Sequence, residues 1–239
     1  MVARIDRKQV VDTALRLLNE VGLDGLALRR IAKELNVQAP ALYWHFKNKQ
    51  ELLDEMATEI FRRMTETLVR PDSVTLGDTW QDVLCTSCRT LRTALLGYRD
   101  GGKVFSGTRM TDESYAAPLD HLLNRFVADG FTLGEAARAW WTAYNFTIGQ
   151  VIEEQSVHPD PGAPGFRDPA YDLEGREQRL GERYPLAALA GREMFGDLGR
   201  NFEAGLRTLV AGIEATGSGA ARAAAASATE GRSIRAVGR

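Results

Sequence analysis

Apolar residues recur at helical spacing along most of the chain, and no segment of strand-like alternation or internal repeat stands out. Val11, Ala14, Leu15, Leu18 and Val21 form the first stripe. Asp6-Arg7-Lys8-Gln9 opens it as a capping box, in which the Asp carboxylate takes a first-turn amide and Gln9 reaches back. Gly22 supplies its stop. Leu28, Ile31, Ala32 and Leu35 predict a short second helix, with Asn36 as the left-handed residue of a tight turn. Pro40, tolerated at a first helical position, places a third helix from Gln38 to Phe46. Asn48-Lys49-Gln50-Glu51 then caps a long amphipathic run through Leu52, Leu53, Met56, Ile60, Met64 and Leu68, closed by Pro71.

The pattern continues through the rest of the chain. A fifth helix is expected from Leu76 to Gly97, with Trp80, Leu84, Cys88, Leu91 and Leu95 on one face. A short piece from Val104 to Thr108 follows Gly101-Gly102, and two helices, Ser114 to Ala128 and Leu133 to Val157, flank Asp129-Gly130. Five of the eight prolines fall between 157 and 185, which marks a long loop holding one short helix. Helices return at Pro185 to Phe195 and Asp197 to Ala215. The segment from Gly217 onward is rich in Gly, Ala, Ser and Arg and is expected to be disordered. The fold class is therefore all-α. We divide it into a three-helix head (1–48), a connecting helix (49–70), a larger helical body (71–216) and a tail (217–239).

Composition narrows the function classes. With 239 residues and 44% hydrophobic content the chain can bury a substantial core, which excludes disorder as its main state. It has no apolar run of the ~18 residues needed to span a bilayer, and its first residues lack a signal-peptide core, so a cytoplasmic location is expected. Two cysteines are too few for a disulfide framework. The net charge of −2 says nothing in favour of nucleic acid until it is divided. Residues 1–50 hold nine basic and five acidic side chains, a charge of +4, which leaves −6 on the remaining 189. A polyanion-facing head on an acidic body follows.

Helix, turn, short helix is the arrangement that lets one helix enter the major groove while another crosses the backbone. The exposed face of the third helix would offer Gln38, Tyr43, His45, Lys47 and Lys49 to phosphates or base edges. Arg29 and Arg30, at the start of the preceding helix, could fork onto guanine O6 and N7.

Tyr43-Trp44-His45-Phe46-Lys47-Asn48-Lys49, preceded by Leu28-Arg29-Arg30-Ile31-Ala32-Lys33-Glu34-Leu35, resembles the head of the tetracycline-repressor (TetR) family of one-component regulators. The body carries the likeness on, in Tyr98-Arg99-Asp100-Gly101, Gly107-Thr108-Arg109 and Phe146-Thr147-Ile148-Gly149, close to the family's tetracycline-responsive subgroup. The match runs from about residue 3 to 215. It implies that Arg29 reads a base, that Gln38, Ala39, Pro40, Ala41 and Tyr43 face the groove with Trp44 and His45 beside them, and that Lys49 holds a phosphate. Ala39 and Ala41 depart from the pattern, because methyls can touch a thymine but cannot donate. A different operator sequence is expected.

The same resemblance implies a homodimer on a palindromic operator and a drug cavity in the body, with ligand candidates Thr65, Ser87, Leu91, Phe105, Thr108, Arg109, Met110, Trp140, Trp141, Tyr144 and Glu153. Adjacent tryptophans cannot share one helix face, so Trp140 or Trp141 must meet a second helix, a partner or a cavity. Phe105 stands where the tetracycline-responsive members place a magnesium-binding histidine, and Thr65 and Ser87 replace two further drug anchors. A lone carboxylate, Glu153, facing a phenyl ring is a poor magnesium site. A metal-free, more aromatic pocket without cofactor is expected, for an aromatic or polyketide-like antibiotic rather than magnesium-tetracycline. The implied mechanism moves the short sixth helix, tilts the fourth and changes the spacing of the two heads.

Other features carry less. Trp80 and Phe202 fit core or interface. Cys85 and Cys88 have redox-motif spacing but no preceding strand, and fit reduced thiols. His45, His121 and His158 show no metal spacing, and His121 is either a pocket or a surface residue. Glu153 and Glu154 diverge on their helix, and no nucleophile with a base, phosphate loop or dinucleotide fingerprint occurs, so an enzyme is not expected. The sequence reads as a ligand-responsive repressor that partners operator DNA and a small molecule and no membrane. The alternative is a ligand-sequestering resistance protein that has lost DNA binding.

Overall fold

The computed structural model describes residues 5–68, 77–163 and 165–217, and these form eleven α-helices and one 3-10 turn, with no strand among them. The head comprises α1 (Arg7–Gly25), α2 (Leu28–Glu34) and α3 (Ala39–Tyr43). The capping box is formed: the Gln9 amide donates to Asp6 Oδ1 at 2.7 Å and the Asp6 amide to Gln9 Oε1 at 3.1 Å. Gly22 does break α1, at φ 69 and ψ 177, but one more turn continues to Gly25. Asn36 takes the expected left-handed conformation, at φ 52. α3 is shorter than its pattern suggested. After Tyr43 the amides of His45 and Phe46 both donate to the Leu42 carbonyl, so the last turn tightens and closes.

α4 (Lys49–Leu68) begins as predicted, with the Glu51 amide donating to Asn48 Oδ1 at 2.9 Å. Its expected end at Pro71 lies outside the described residues, as do the expected start of the next helix at Leu76 and the tail beyond Gly217. α5 (Trp80–Leu96) takes Thr79 as its N-cap, and residues 77–79 are not helical. α6 (Gly101–Phe105) sits three residues earlier than predicted. Asp100, left-handed at φ 56, starts the helix by accepting from the Val104 amide, and Gly107 at φ 73 follows its end. The two glycines are thus the helix's beginning rather than a break before it. Gly102 has a steric reason: a Cβ there would lie 2.9 Å from Ile152 Cγ1.

α7 (Ala116–Ala128), α8 (Leu133–Val157), α9 (Leu173–Leu180), α10 (Pro185–Phe195) and α11 (Leu198–Thr216) complete the body. Two apolar clusters hold the protein together. One joins the head core (Val10, Leu15, Leu18, Ile31, Leu42, Phe46) to Leu52, Met56 and Ile60 of α4 and on to Leu95, Val104, Phe105 and Val151. The other packs Trp80, Cys88, Phe126, Phe131, Phe202 and Leu206 among α5, α7, α8 and α11. Trp80 and Phe202 are therefore core residues. No described helix is long and apolar enough to cross a membrane.

Candidate nucleic-acid interface and ligand cavity

The cations of the head divide into two groups by partner. Arg7, Lys8 and Arg16 are committed to internal carboxylates: Arg7 to Glu51 and Glu55, Lys8 to Asp12, and Arg16 to Glu20 and Glu34. Arg29, Arg30, Lys33 and Lys47 are exposed and make no ion pair among the described residues. These four lie on α2 and just after α3, beside exposed Gln38 and Pro40. Tyr43 is 53% and Trp44 89% exposed, which no folding requirement explains for two large aromatic side chains. An uncommitted cationic surface with protruding aromatic and amide groups can meet phosphates and reach base edges.

Other expected readers are partly buried or bonded within the head. Ala39 packs against the head core, so its methyl is partly withdrawn from the groove side, and Ala41 is half-buried. His45 is half-buried, and its carbonyl accepts from Arg7 Nη1 at 2.6 Å. Lys49 donates to the Leu23 carbonyl at 3.1 Å, fastening the end of α1 to the start of α4.

In the body a cavity of about 310 Å³ opens among α4 (Phe61, Met64), α5 (Ser87, Thr90, Leu91), α7 (Pro118, Leu119, Leu122) and α8 (Trp140, Trp141, Tyr144), with Met110 and Tyr115 from the α6–α7 connection. The ring of Tyr144 is the hub of its aromatic wall. It stacks on Trp141 at 5.4 Å and 15°, meets Trp140 at 5.7 Å and has Phe105 behind it at 6.2 Å. Burial in these surroundings pushes the Tyr144 phenol above its usual range.

Six expected ligand residues thus gather at the cavity: Ser87, Leu91, Met110, Trp140, Trp141 and Tyr144. The other six do not line it. Phe105 is buried in the layer behind Tyr144. The hydroxyls of Thr65 and Thr108 are taken by the carbonyls of Arg62 and Phe105, each at 2.8 Å. Arg109 is taken up by the buried carboxylate of Asp54 on α4, and His121 and Glu153 are exposed. Sequence reasoning missed Phe61, Met64, Thr90, Tyr115, Pro118, Leu119 and Leu122. Met64 was visible only as part of the α4 stripe, and Thr90 could have been found as the next position on the face of Ser87.

The cavity wall does not fit a magnesium ion. It presents no carboxylate or imidazole, and a hydrated divalent cation needs several oxygen ligands. No cluster of three metal-ligating side chains occurs among the described residues. The two cysteines are free thiols, and burial pushes Cys88 up to about 12, which leaves it unreactive.

Head and cavity are joined through one carboxylate. Glu55 of α4, 9% exposed, accepts from Arg7 of α1 at 3.1 Å, from Arg62 at 2.9 Å and from the Thr111 hydroxyl at 3.0 Å. Arg7 carries the connection to the end of α3 through the His45 carbonyl, and Thr111 neighbours the cavity residue Met110. Burial pushes the Glu55 carboxyl up, but Arg62, Arg7 and Thr111 outweigh it, so the group stays below its usual range. Asp112, held by Ser114 and then by Arg62, is lowered to about 2. A second seam fixes α1 to the body: the Leu23 amide donates to Asp100 Oδ2 at 2.9 Å and the Arg99 amide to Asn19 Oδ1 at 2.8 Å.

Residues 10–56 match the family model for bacterial regulatory proteins of the tetR family, and residues 74–216 match the tetracyclin repressor-like C-terminal domain. The chain is 36% identical over 218 residues to the class D tetracycline repressor protein of Escherichia coli, covering 89% of this chain and 91% of that protein. Among solved structures, a possible TetR family transcriptional regulator from Streptomyces coelicolor A3(2) superposes with a TM-score of 0.74 at 37% identity, covering 88% of this chain and 99% of that one. TetR-Q116A from Acinetobacter baumannii AYE, in complex with minocycline, gives 0.64 at 31% identity, covering 88% and 97%.

Proposed function

The chain belongs to the TetR family of transcriptional regulators, and from that membership we propose that it is a homodimeric repressor of a palindromic operator, released when an aromatic or polyketide-like molecule fills the body cavity. The family regulates transcription by binding DNA and is not enzymatic. The observation that carries the proposal is the pairing of an uncommitted cationic, aromatic face on the head with an apolar cavity in the body, linked through Glu55. The same exposed Tyr43 and Trp44 favour a DNA reader over a protein that only sequesters its ligand.

The effector differs from the minocycline bound by the A. baumannii relative. Support comes from Phe105, a buried phenyl that can give no lone pair to a metal, and from a wall built on Tyr144, Trp140 and Trp141. Filling the cavity would displace Met110 and Tyr115 and strain the strap from Arg109 to Asp112 that is bonded to α4. α4 carries Lys49 at its head end, and its 20 residues span about 30 Å. A shift at the cavity end therefore moves the reading head.

Dimerisation uses the exposed small-residue faces of α8 (Thr142, Asn145, Gly149) and α11 (Ala204, Thr208, Ala211, Ala215) in this reading, their spacing keeping each set on one side of its helix. The test is a gel shift on the DNA upstream of the protein's own gene, repeated across a panel of aromatic antibiotics. A salt-sensitive shift is expected, abolished by one or more of the panel and not by tetracycline with magnesium. Absence of any shift would return the protein to the sequestering reading.

A further inference from the structure

The wall of the body cavity is uncharged. Among its thirteen lining residues the only titratable groups are the phenols of Tyr115 and Tyr144, and burial holds Tyr144 neutral well into alkaline solution. No charged side chain of the surrounding helices lines it. On α4, Arg62 and Arg63 are paired with Glu55, Glu59, Asp112 and Asp12. On α5, Arg89 and Arg92 are paired with Glu203 and Glu154. His121 of α7 and Glu153 of α8 are exposed. A charged ligand would therefore lose its water without gaining a counter-ion, which disfavours it strongly.

The wall nevertheless has polar atoms to offer. The hydroxyls of Ser87 and Thr90, one helical turn apart on α5, and of Tyr144 across the cavity make no hydrogen bond among the described residues. Each can donate to a ketone or accept from a phenol. The stacked rings of Trp141 and Tyr144 supply a flat surface for a planar ligand.

We infer that the cavity selects its ligand by charge state, taking a planar aromatic molecule with ketone or phenol oxygens only in its neutral, metal-free form. This rests on the assignment of the cavity as the effector site and specifies what that site admits. A weakly acidic effector is thus bound with its proton, and the repressor senses the protonated fraction of the compound rather than its total concentration.

The probe is alizarin, a planar dihydroxyanthraquinone whose colour changes from yellow to red when its first phenol ionises near neutrality, used with the full chain in buffer containing EDTA. Bound dye is expected to stay yellow at least about one pH unit beyond the transition of free dye, equivalent to at least about tenfold tighter binding of the neutral form. Leu119→Trp, which fills the cavity, should abolish binding while the protein still melts cooperatively. Thr90→Lys, which places a cation in the wall, should bring the bound dye's transition at least about one unit below that of the wild type. Bound dye that is red in the wild type, dye that does not bind, or binding that survives Leu119→Trp overturns the inference. The parent reading fails separately: a yellow-shifted dye that leaves the operator complex intact keeps the charge selection and removes the effector role. A red-bound dye that releases operator does the reverse.

Discussion

Gly22 holds φ 69 with ψ 177, a conformation open in practice only to glycine, and a Cβ there would lie 2.9 Å from Asp100 Oδ2. Gly22→Ala should therefore cost about 1–3 kcal/mol in denaturant unfolding and loosen the Leu23–Asp100 bond that fixes α1 to the body. On the reading face the relevant quantity is a side chain's freedom from internal partners rather than its charge alone. Arg29→Ala should weaken operator binding by about 1–3 kcal/mol if its fork reads a guanine, and Tyr43→Ala should weaken it too, with ligand affinity and oligomeric state unchanged. Lys33→Ala should instead lower affinity evenly across DNA sequences and reduce the salt slope by about one, measured by fluorescence anisotropy. Equal losses on specific and random DNA in Arg29→Ala would demote it to a phosphate contact.

Among elements, α4 has the most to reconcile, since it buries Asp54, Glu55 and Glu59 as well as its apolar stripe. Arg7, Arg62, Arg63 and Arg109 neutralise these carboxylates from α1, from α4 itself and from the strap before α7. Glu55 and Asp112 are both held below their ordinary values of 4.5 and 3.8, Asp112 at about 2. A carboxyl depressed in the folded state stabilises the protein above its unfolded value, and that contribution is lost as pH falls through the folded one. Melting temperature should accordingly drop as pH falls from about 4.5 towards 2. Glu55→Gln should cost about 1–3 kcal/mol at neutral pH, and its deficit against the wild type should close across that interval. A deficit constant with pH would mean that Glu55 contributes shape and not charge. The part of this network that ties α4 to α1 and to the strap was not legible in the sequence, because those pairs are 48 to 56 positions apart and each residue alone reads as a solvated helix charge. Helices were legible wherever a stripe or a cap recurred locally, as at Asp6–Gln9 and Asn48–Glu51. α6 was misplaced because glycine pairs read as breaks, and Gly102 is there to let α6 approach α8. The cavity was half legible: Trp140, Trp141 and Tyr144 announced themselves, whereas Phe61 and Leu119 look like any core residue until the helices are assembled.

For the whole molecule, the division of charge into +4 on the first 50 residues and −6 on the rest becomes more pointed once internal pairing is counted. Within the head the paired cations hold the fold, and Arg29, Arg30, Lys33 and Lys47 stay exposed without an ion pair among the described residues. One such head offers few base contacts, so useful operator affinity requires two heads held at a fixed separation. The faces of α8 and α11 proposed for that pairing are exposed and built from small side chains, which allow close helix approach. Gly149 and Gly212 have nothing within 4 Å of where a Cβ would stand, so neither is required by the fold of the single chain. Ala211→Arg should place a charge in the middle of the α11 face without touching the core. Sedimentation should then report a monomer with unchanged helical content and melting cooperativity. Operator affinity should fall at least about a hundredfold, since the second half-site no longer binds at high effective concentration. Alizarin binding, by contrast, should survive, because the cavity is lined within one chain. A variant that remains dimeric would move the interface away from α11, and a monomer with undiminished operator affinity would remove the two-fold from the mechanism.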